Sequence, residues 1–266
     1  MSSDERPTRH SIRDAAAVTH AGGMQASRAF PTNTHAHLDP FVLFERFHIA
    51  PDQGFDTHPH SGFEILTYML EGGMAHGDSL GHESTPRAGD AMRITTGSGI
   101  RHSEFPADGA CSGLQLWVNL PADRKEIEPA YAEASSDQLP TEQRADATVT
   151  TVVGEGSPLG LETAMEYLDV TVTGSGSGSD EGSWTWDPPA EWVGFCFVVS
   201  GSGRVGGDEN GGRDEERDEK TLEAGQFVTL EGGDSLTLST DTECRVVAVA
   251  GEPHGQEIHQ RGPFVA

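Results

Sequence analysis

Short runs of β-branched, aromatic and aliphatic residues recur along the chain at close spacing, and they do not repeat every three or four positions as an amphipathic helix would. The runs are FVLFERFHI (41–49), FEILTYML (63–70), DAMRITT (90–96), LQLWVNL (114–120), ATVTTVVG (147–154), MEYLDVTVT (165–173), WVGFCFVVS (192–200), QFVTLEG (226–232), SLTLST (235–240) and CRVVAVAG (244–251). Gly, Pro, Asp and Ser fill the intervals. Short strands at regular spacing with turn residues between them predict an all-β chain of the sandwich or barrel type.

Residues 119–143 break this rhythm with three prolines, several charges and Ala/Glu-rich segments. They predict a linker with a short helix, drawn at 126–145. On each side the same devices recur. A glycine turn precedes a strand in RAGDAMRIT (87–95) and EAGQFVTLE (223–231), and a strand runs into glycines in ILTYMLEGG (65–73) and GFCFVVSGSG (194–203). The halves therefore read as one fold used twice, with an N-terminal segment at 1–27, a first barrel at 28–125 and a second at 146–266. The Ser/Gly-rich stretch 174–183 and the acidic stretch 206–220 cannot bury a face and are expected to be solvated hairpin loops.

The chain has 266 residues, with 17 Lys+Arg against 43 Asp+Glu and a net charge of −26. Such a balance repels phosphate backbones and anionic lipid, so direct nucleic-acid or membrane partners are not expected. Only Lys125 and Lys220 are lysines. Acids spread evenly along a lysine-poor chain suit a surface kept hydrated in concentrated salt, and a halophilic cytoplasm is the expected setting. The opening MSSDERPTRHSIRD lacks the apolar core of a secretion signal, and no window approaches the ~20 apolar residues of a membrane span. Cys111, Cys196 and Cys244 are widely spaced with no CxxC pair, which predicts neither a disulfide framework nor a thiolate zinc site. Cys111 and Cys196 are expected to be small buried hydrophobes.

The candidate chemistry lies in the first half. His58 and His60 stand in DTHPHSGFEIL, and His102 and Glu104 stand in GSGIRHSEFP. Side chains two apart on a strand share a face at roughly 6.5–7 Å, so each pair projects two donors into one interior. Imidazole plus carboxylate without thiolate suits iron, manganese, nickel, copper or zinc, with iron(II) the first choice. Parity alone leaves Glu64 open as an alternative to Glu104, because an unbroken strand would carry His58, His60, Gly62 and Glu64 on one side. Pro59 has no N–H for a ladder and marks a strand start or an edge. His76 and Asp78 (MAHGDS) are expected as hairpin residues. Trp117, Trp184, Trp186 and Trp192 are expected in the cores, with Trp184 and Trp186 placed either there or beside a ligand cleft.

HPHSGFEILTYMLEGGMAHGDSLG (58–81), AGDAMRITTGSGIRHSE (88–104), GLQLWVNLP (113–121), HLDPFVLFERF (37–47) and GPFVA (262–266) resemble, in order, the signature segments of the pirins, two-domain members of the cupin superfamily. The resemblance is specific over about residues 28–125 and weaker beyond. It implies two consecutive cupin-type β-barrels, a bicupin, with one iron held by His58, His60, His102 and Glu104. It thereby selects Glu104 over Glu64, which becomes a hydrogen-bonding neighbour of the site. The second half has the glycine turns but no HxH, so no metal is expected there, and GPFVA is expected to return across the first domain. Quercetin 2,3-dioxygenase activity in pirin-like proteins implies oxidation of a flavonol-like or other enolisable phenolic substrate, with Glu104 as ligand and catalytic base. The alternative it implies is an iron-dependent regulatory or redox-sensing protein acting through a protein partner. A sugar-phosphate isomerase fits less well, since only Arg87, Arg93 and Arg101 are near and parity separates Arg101 from the His102 face.

Overall fold

The computed structural model describes residues 11–175, 181–206 and 220–266. In chain order the first strands are β1 (Arg13–Asp14), β2 (Ala16–Thr19), β3 (Gln25–Phe30), β4 (Phe41–Ile49), β5 (Phe55–His60), β6 (Phe63–Glu71), β7 (Met74–Asp78), β8 (Glu83–Ser84), β9 (Ala91–Thr95), β10 (Ile100–Pro106), β11 (Cys111–Asn119) and β12 (Ala130–Ala134). There follow β13 (Thr141–Gln143), β14 (Ala147–Val153), β15 (Met165–Thr173), β16 (Gly182–Trp186), β17 (Val193–Gly206), β18 (Lys220–Glu223), β19 (Gln226–Leu230), β20 (Leu236–Thr240), β21 (Glu243–Gly251), β22 (Gln260–Arg261) and β23 (Phe264–Val265). Two 3-10 turns, Ala21–Gly23 and Ala122–Arg124, are the helical elements among the described residues, and none is long or apolar enough to cross a membrane.

The chain forms two compact units. One comprises Ala15–Pro140, Thr151–Tyr167 and Gly251–Ala266; the other comprises Thr141–Thr150 and Leu168–Ala250 with the described residues up to Asp14. The first contains a seven-stranded sheet, β12-β9-β6-β11-β4-β3-β2, and a four-stranded sheet, β5-β10-β7-β8. Two antiparallel sheets of this kind make the double-sheet barrel that the hydrophobic runs predict. β6 lies inside the larger sheet with both faces covered, which is why FEILTYM is buried without alternation. Val42, Phe63, Ile65, Ile94, Ile100 and Val265 form one core cluster. Each such buried side chain contributes about 1.5–3 kcal/mol relative to exposure.

The other unit is built on a sheet whose path is β1-β19-β17-β21-β15-β14-β13, with β16, β18 and β20 joined to it. β16 alternates strictly, Trp184 and Trp186 inward and Ser183 and Thr185 outward. The two indoles lie 6.4 Å apart at 13° inside the main core cluster, so they are packing residues rather than the border of a cleft. Cys111, Cys196 and Cys244 are buried free thiols, as inert as small hydrophobes. Burial pushes Cys111 and Cys244 up to about 11.

Four segments differ from expectation or escape it. Residues 126–145 carry strands in place of a helix: β12 pairs with β9 and β13 with β14. Their Ala/Glu content favours a helix locally, but open sheet edges capture the backbone. Residues 16–19 and 25–27, ahead of 28, are part of the larger sheet, because β2 pairs with β3 and β3 with β4, whereas β1 pairs with β19. Of the two expected loops, residues 176–180 and 207–219 lie outside the described residues.

Candidate metal centre

β5 is the edge strand of the smaller sheet, where Pro59 leaves no ladder donor missing. It pairs antiparallel with β10 so that His102 stands opposite His58 and Ile100 opposite His60. A register shift between His102 and Glu104 follows, and on the other side of β10 the strand β7 sets His76 opposite Glu104 and Asp78 opposite His102. Three imidazoles converge as a result. Ring centroids lie 4.8 Å apart for His58 and His60, 4.4 Å for His58 and His102, and 4.9 Å for His60 and His102.

The ring nitrogens are oriented by the backbone. His58 Nδ1 lies 2.9 Å from the Asp56 carbonyl oxygen, and His60 Nδ1 lies 3.2 Å from that of Pro263. A carbonyl only accepts, so Nδ1 carries the proton in both rings and Nε2 keeps its lone pair, the tautomer a metal ligand needs. Both nitrogens of His102, Nδ1 of His76 and Oε1 of Glu104 are buried without a hydrogen-bond partner. Buried polar atoms left unpaired are costly, and one nitrogen each of His76 and His102 with a Glu104 carboxylate oxygen form a donor set that a cation satisfies. Two donor triads occur among the described residues, each with ligand atoms within 4.8 Å of one another: His58, His60 and His102, and His76, His102 and Glu104. Thus all four residues singled out in the sequence come to one locality, Glu104 on the side of His76.

Electrostatics keep the imidazoles in their binding form and favour the protonated form of the carboxyl. Burial, followed by the neighbouring His58, lowers His60 to about 4. Burial also holds His58 and His76 low and His102 well below the usual histidine range. Burial, with the charge of Glu45 second, raises Glu104 to about 7. Neutral imidazoles and a carboxyl poised near neutrality are a metal-ligating ensemble.

A cavity of ≈ 440 Å³ opens onto the three histidines and Glu104, with Phe55, Leu43, Trp117 and Gln115 among its walls. One polar wall of this cavity, Glu45, and one donor beside it, His76, escaped the sequence reading. Glu45, 1% exposed, accepts from Arg28 Nε at 2.8 Å and lies 2.9 Å from His20 Nε2. His76, expected in a hairpin, is a buried strand residue stacked 5.0 Å from Tyr131 at 13° and 3.5 Å from the Asp78 carboxylate. The His-x-Asp pair was its only signal, and that spacing does not reveal which strand lies alongside.

Glu64 stands outside both donor triads and outside the lining of the cavity. Gly62, at φ 85°, ends the run of alternation, so β5 and β6 fall in different sheets. The Glu64 carboxylate accepts from Thr95 Oγ1 at 2.6 Å and from the Glu162 amide at 2.8 Å, with Arg93 at 3.7 Å. Arg101 is exposed and donates to the Thr57 carbonyl, and its charge acts on His58.

The Pirin family profile matches residues 23–118 and the Pirin C-terminal cupin domain profile matches residues 179–266. Pirin-1 of Arabidopsis thaliana is 38% identical over 236 residues, 86% of this chain and 77% of that one. Pirin of Homo sapiens is 35% identical over 252 residues, covering 91% and 82%. Among solved structures, GK1651 of Geobacillus kaustophilus is similar with TM-score 0.78 at 26% identity, covering 93% of this chain and 96% of that one. A protein described as quercetin 2,3-dioxygenase from Acinetobacter baumannii gives TM-score 0.82 at 24% identity over 97% and 84%. The bacterial pirin YhhW of Escherichia coli, in complex with nickel(II), gives 0.71 at 21% over 92% and 99%. Signature segments, paired cupin domains and curated relatives agree: the chain belongs to the pirin family.

Proposed function

We propose that this chain is a mononuclear metal-dependent dioxygenase acting on a flavonol-like or other enolisable phenolic substrate, with His58, His60, His102 and Glu104 as the ligands and iron(II) as the physiological metal. The observation that carries the reading is the set of buried, unpartnered donor atoms on His102 and Glu104 at the floor of an aromatic-walled cavity. The names of the structurally similar proteins support it further, since one is a quercetin 2,3-dioxygenase and another holds nickel(II). When bound, the metal supplies Lewis acidity and one-electron chemistry toward dioxygen.

The protein's own share follows from its side chains. Phe55 and Trp117 offer flat apolar surfaces to a planar ring and exclude water from it. Glu104, raised to about 7, is matched to take the proton of a substrate hydroxyl at neutral pH and hold it on its carboxylate. His58 and His60, fixed through Nδ1, do not reorient as substrate enters. The test is anaerobic addition of quercetin to iron-loaded protein, which should shift the visible absorbance, followed by air, which should bleach it with oxygen uptake. Absence of oxygen uptake with iron, manganese, nickel and copper alike would refute turnover.

A further inference from the structure

The hairpin of β22 and β23 runs along the loop that joins β5 to β6. The Val265 amide donates to the Ser61 carbonyl at 3.0 Å, Ser61 and Phe264 form a parallel bridge, and the Val265 side chain is buried with Phe63 and Ile100. At the turn of this hairpin stands Pro263, whose carbonyl accepts from His60 Nδ1. One ammonium group ties the arrangement together. Lys125 Nζ lies 2.6 Å from Asn119 Oδ1, 2.9 Å from the Gly62 carbonyl and 3.3 Å from the Val265 carbonyl. An ammonium has three donors to offer, and here three acceptors from three segments receive them. The fit is close on the loop side too, because a Cβ at Gly62 would stand 1.8 Å from the Val265 carbonyl oxygen. Only two of the chain's 17 basic residues are lysines. A planar guanidinium fork does not address three convergent carbonyl-type oxygens in this way.

We propose that Lys125 is a positioning residue of the metal centre: it clamps residues 262–265 against Gly62, which holds the Pro263 carbonyl on His60 Nδ1 and so fixes the tautomer in which Nε2 is free to ligate. Removing a group that orients a ligating histidine typically weakens metal binding by about 10–100-fold. The effect on affinity rests on the reading of His60 as a ligand, whereas the effect on the tautomer does not.

The experiment compares full-length protein with Lys125→Met, Gly62→Ala and a deletion of residues 262–266, using Lys220→Met as control. Long-range proton–nitrogen correlation spectra of the metal-free proteins report which nitrogen of His60 is protonated, and competition with a chelator reports nickel(II) affinity. The expected result is a single Nδ1–H form for His60 in the wild type and the control, and a mixture in the three variants. Nickel(II) affinity should fall about 10–100-fold in those variants and stay unchanged in the control. An unaltered Nδ1–H signature in any folded variant that has lost the clamp overturns the proposal, as does nickel(II) affinity within about twofold of wild type once the tautomer has become mixed. If the wild type bound no nickel(II), the ligand reading of His60 would fail, and the tautomer comparison would still decide for or against the clamp.

Discussion

Replacing Glu104 by glutamine should make the metal-free protein more stable at alkaline pH. The residue is 3% exposed, its Oε1 has no hydrogen-bond partner, and burial raises its pKa from 4.5 to about 7. A folded-state value above the unfolded one means that the folded chain keeps a proton that the unfolded chain releases between pH 4.5 and about 7. Stability therefore falls as pH rises through that window, and the loss is complete above it. At about 1.4 kcal/mol per tenfold change in proton affinity the penalty is ~3 kcal/mol. Glutamine keeps the shape and abolishes the ionisation. Urea unfolding in the presence of a chelator, followed by tryptophan fluorescence, should show the Glu104→Gln variant ahead by ~3 kcal/mol at pH 8 and level with wild type at pH 4.5. Nickel(II) should reverse the order, stabilising the wild type more than the variant. Equal stabilities at both pH values, or a less stable variant at pH 8, would show that the buried carboxylate is not strained in the metal-free fold.

Three other outcomes follow from the same geometry. Nickel(II) affinity should rise about tenfold per pH unit below pH 7 and level off above it, because binding must displace the Glu104 proton, and isothermal titration in two buffers would expose a flat profile if no proton is released. The double variant His58→Ala/His102→Ala should lose metal by elemental analysis, while Glu64→Gln should keep its full content, since the Glu64 carboxylate is engaged by Thr95 and the Glu162 amide. Arg28→Ala should cost about 3–5 kcal/mol in urea unfolding by leaving the buried Glu45 with His20 alone, and a loss below about 1 kcal/mol would show that the pair adds nothing.

The fold was legible wherever burial dominates the sequence. Each of the ten hydrophobic runs from 41–49 to 244–251 is a strand, among them β4, β6, β9, β11 and β17. Several of the strands that escaped are polar or alanine-rich, such as QASRAF in β3, AYAEA in β12 and TEQ in β13. Such segments have no pattern of their own strong enough to declare a strand. Their conformation is set by the sheet edge they meet, which is a property of distant residues such as Met92 opposite Glu133.

The site divides along the same line. Period-two spacing was enough to put His58 with His60 and His102 with Glu104, because each pair depends only on a local strand. The same rule failed for Glu64, since it assumed continuity through Gly62, and a positive φ there sends β6 into the other sheet, where Glu64 faces Thr95 and Val118. His76 lay beyond local reasoning altogether: it meets Glu104 across β7 and β10, a register set by the whole barrel. Yet the physical demand at the centre can be stated without any register. As they are placed, the Glu104 carboxyl oxygen, both nitrogens of His102 and one nitrogen of His76 make no hydrogen bond to one another. A cation shared among one nitrogen each of His76 and His102 and a Glu104 oxygen satisfies the lone pairs that face one another, while the imidazole N–H groups call for acceptors of their own.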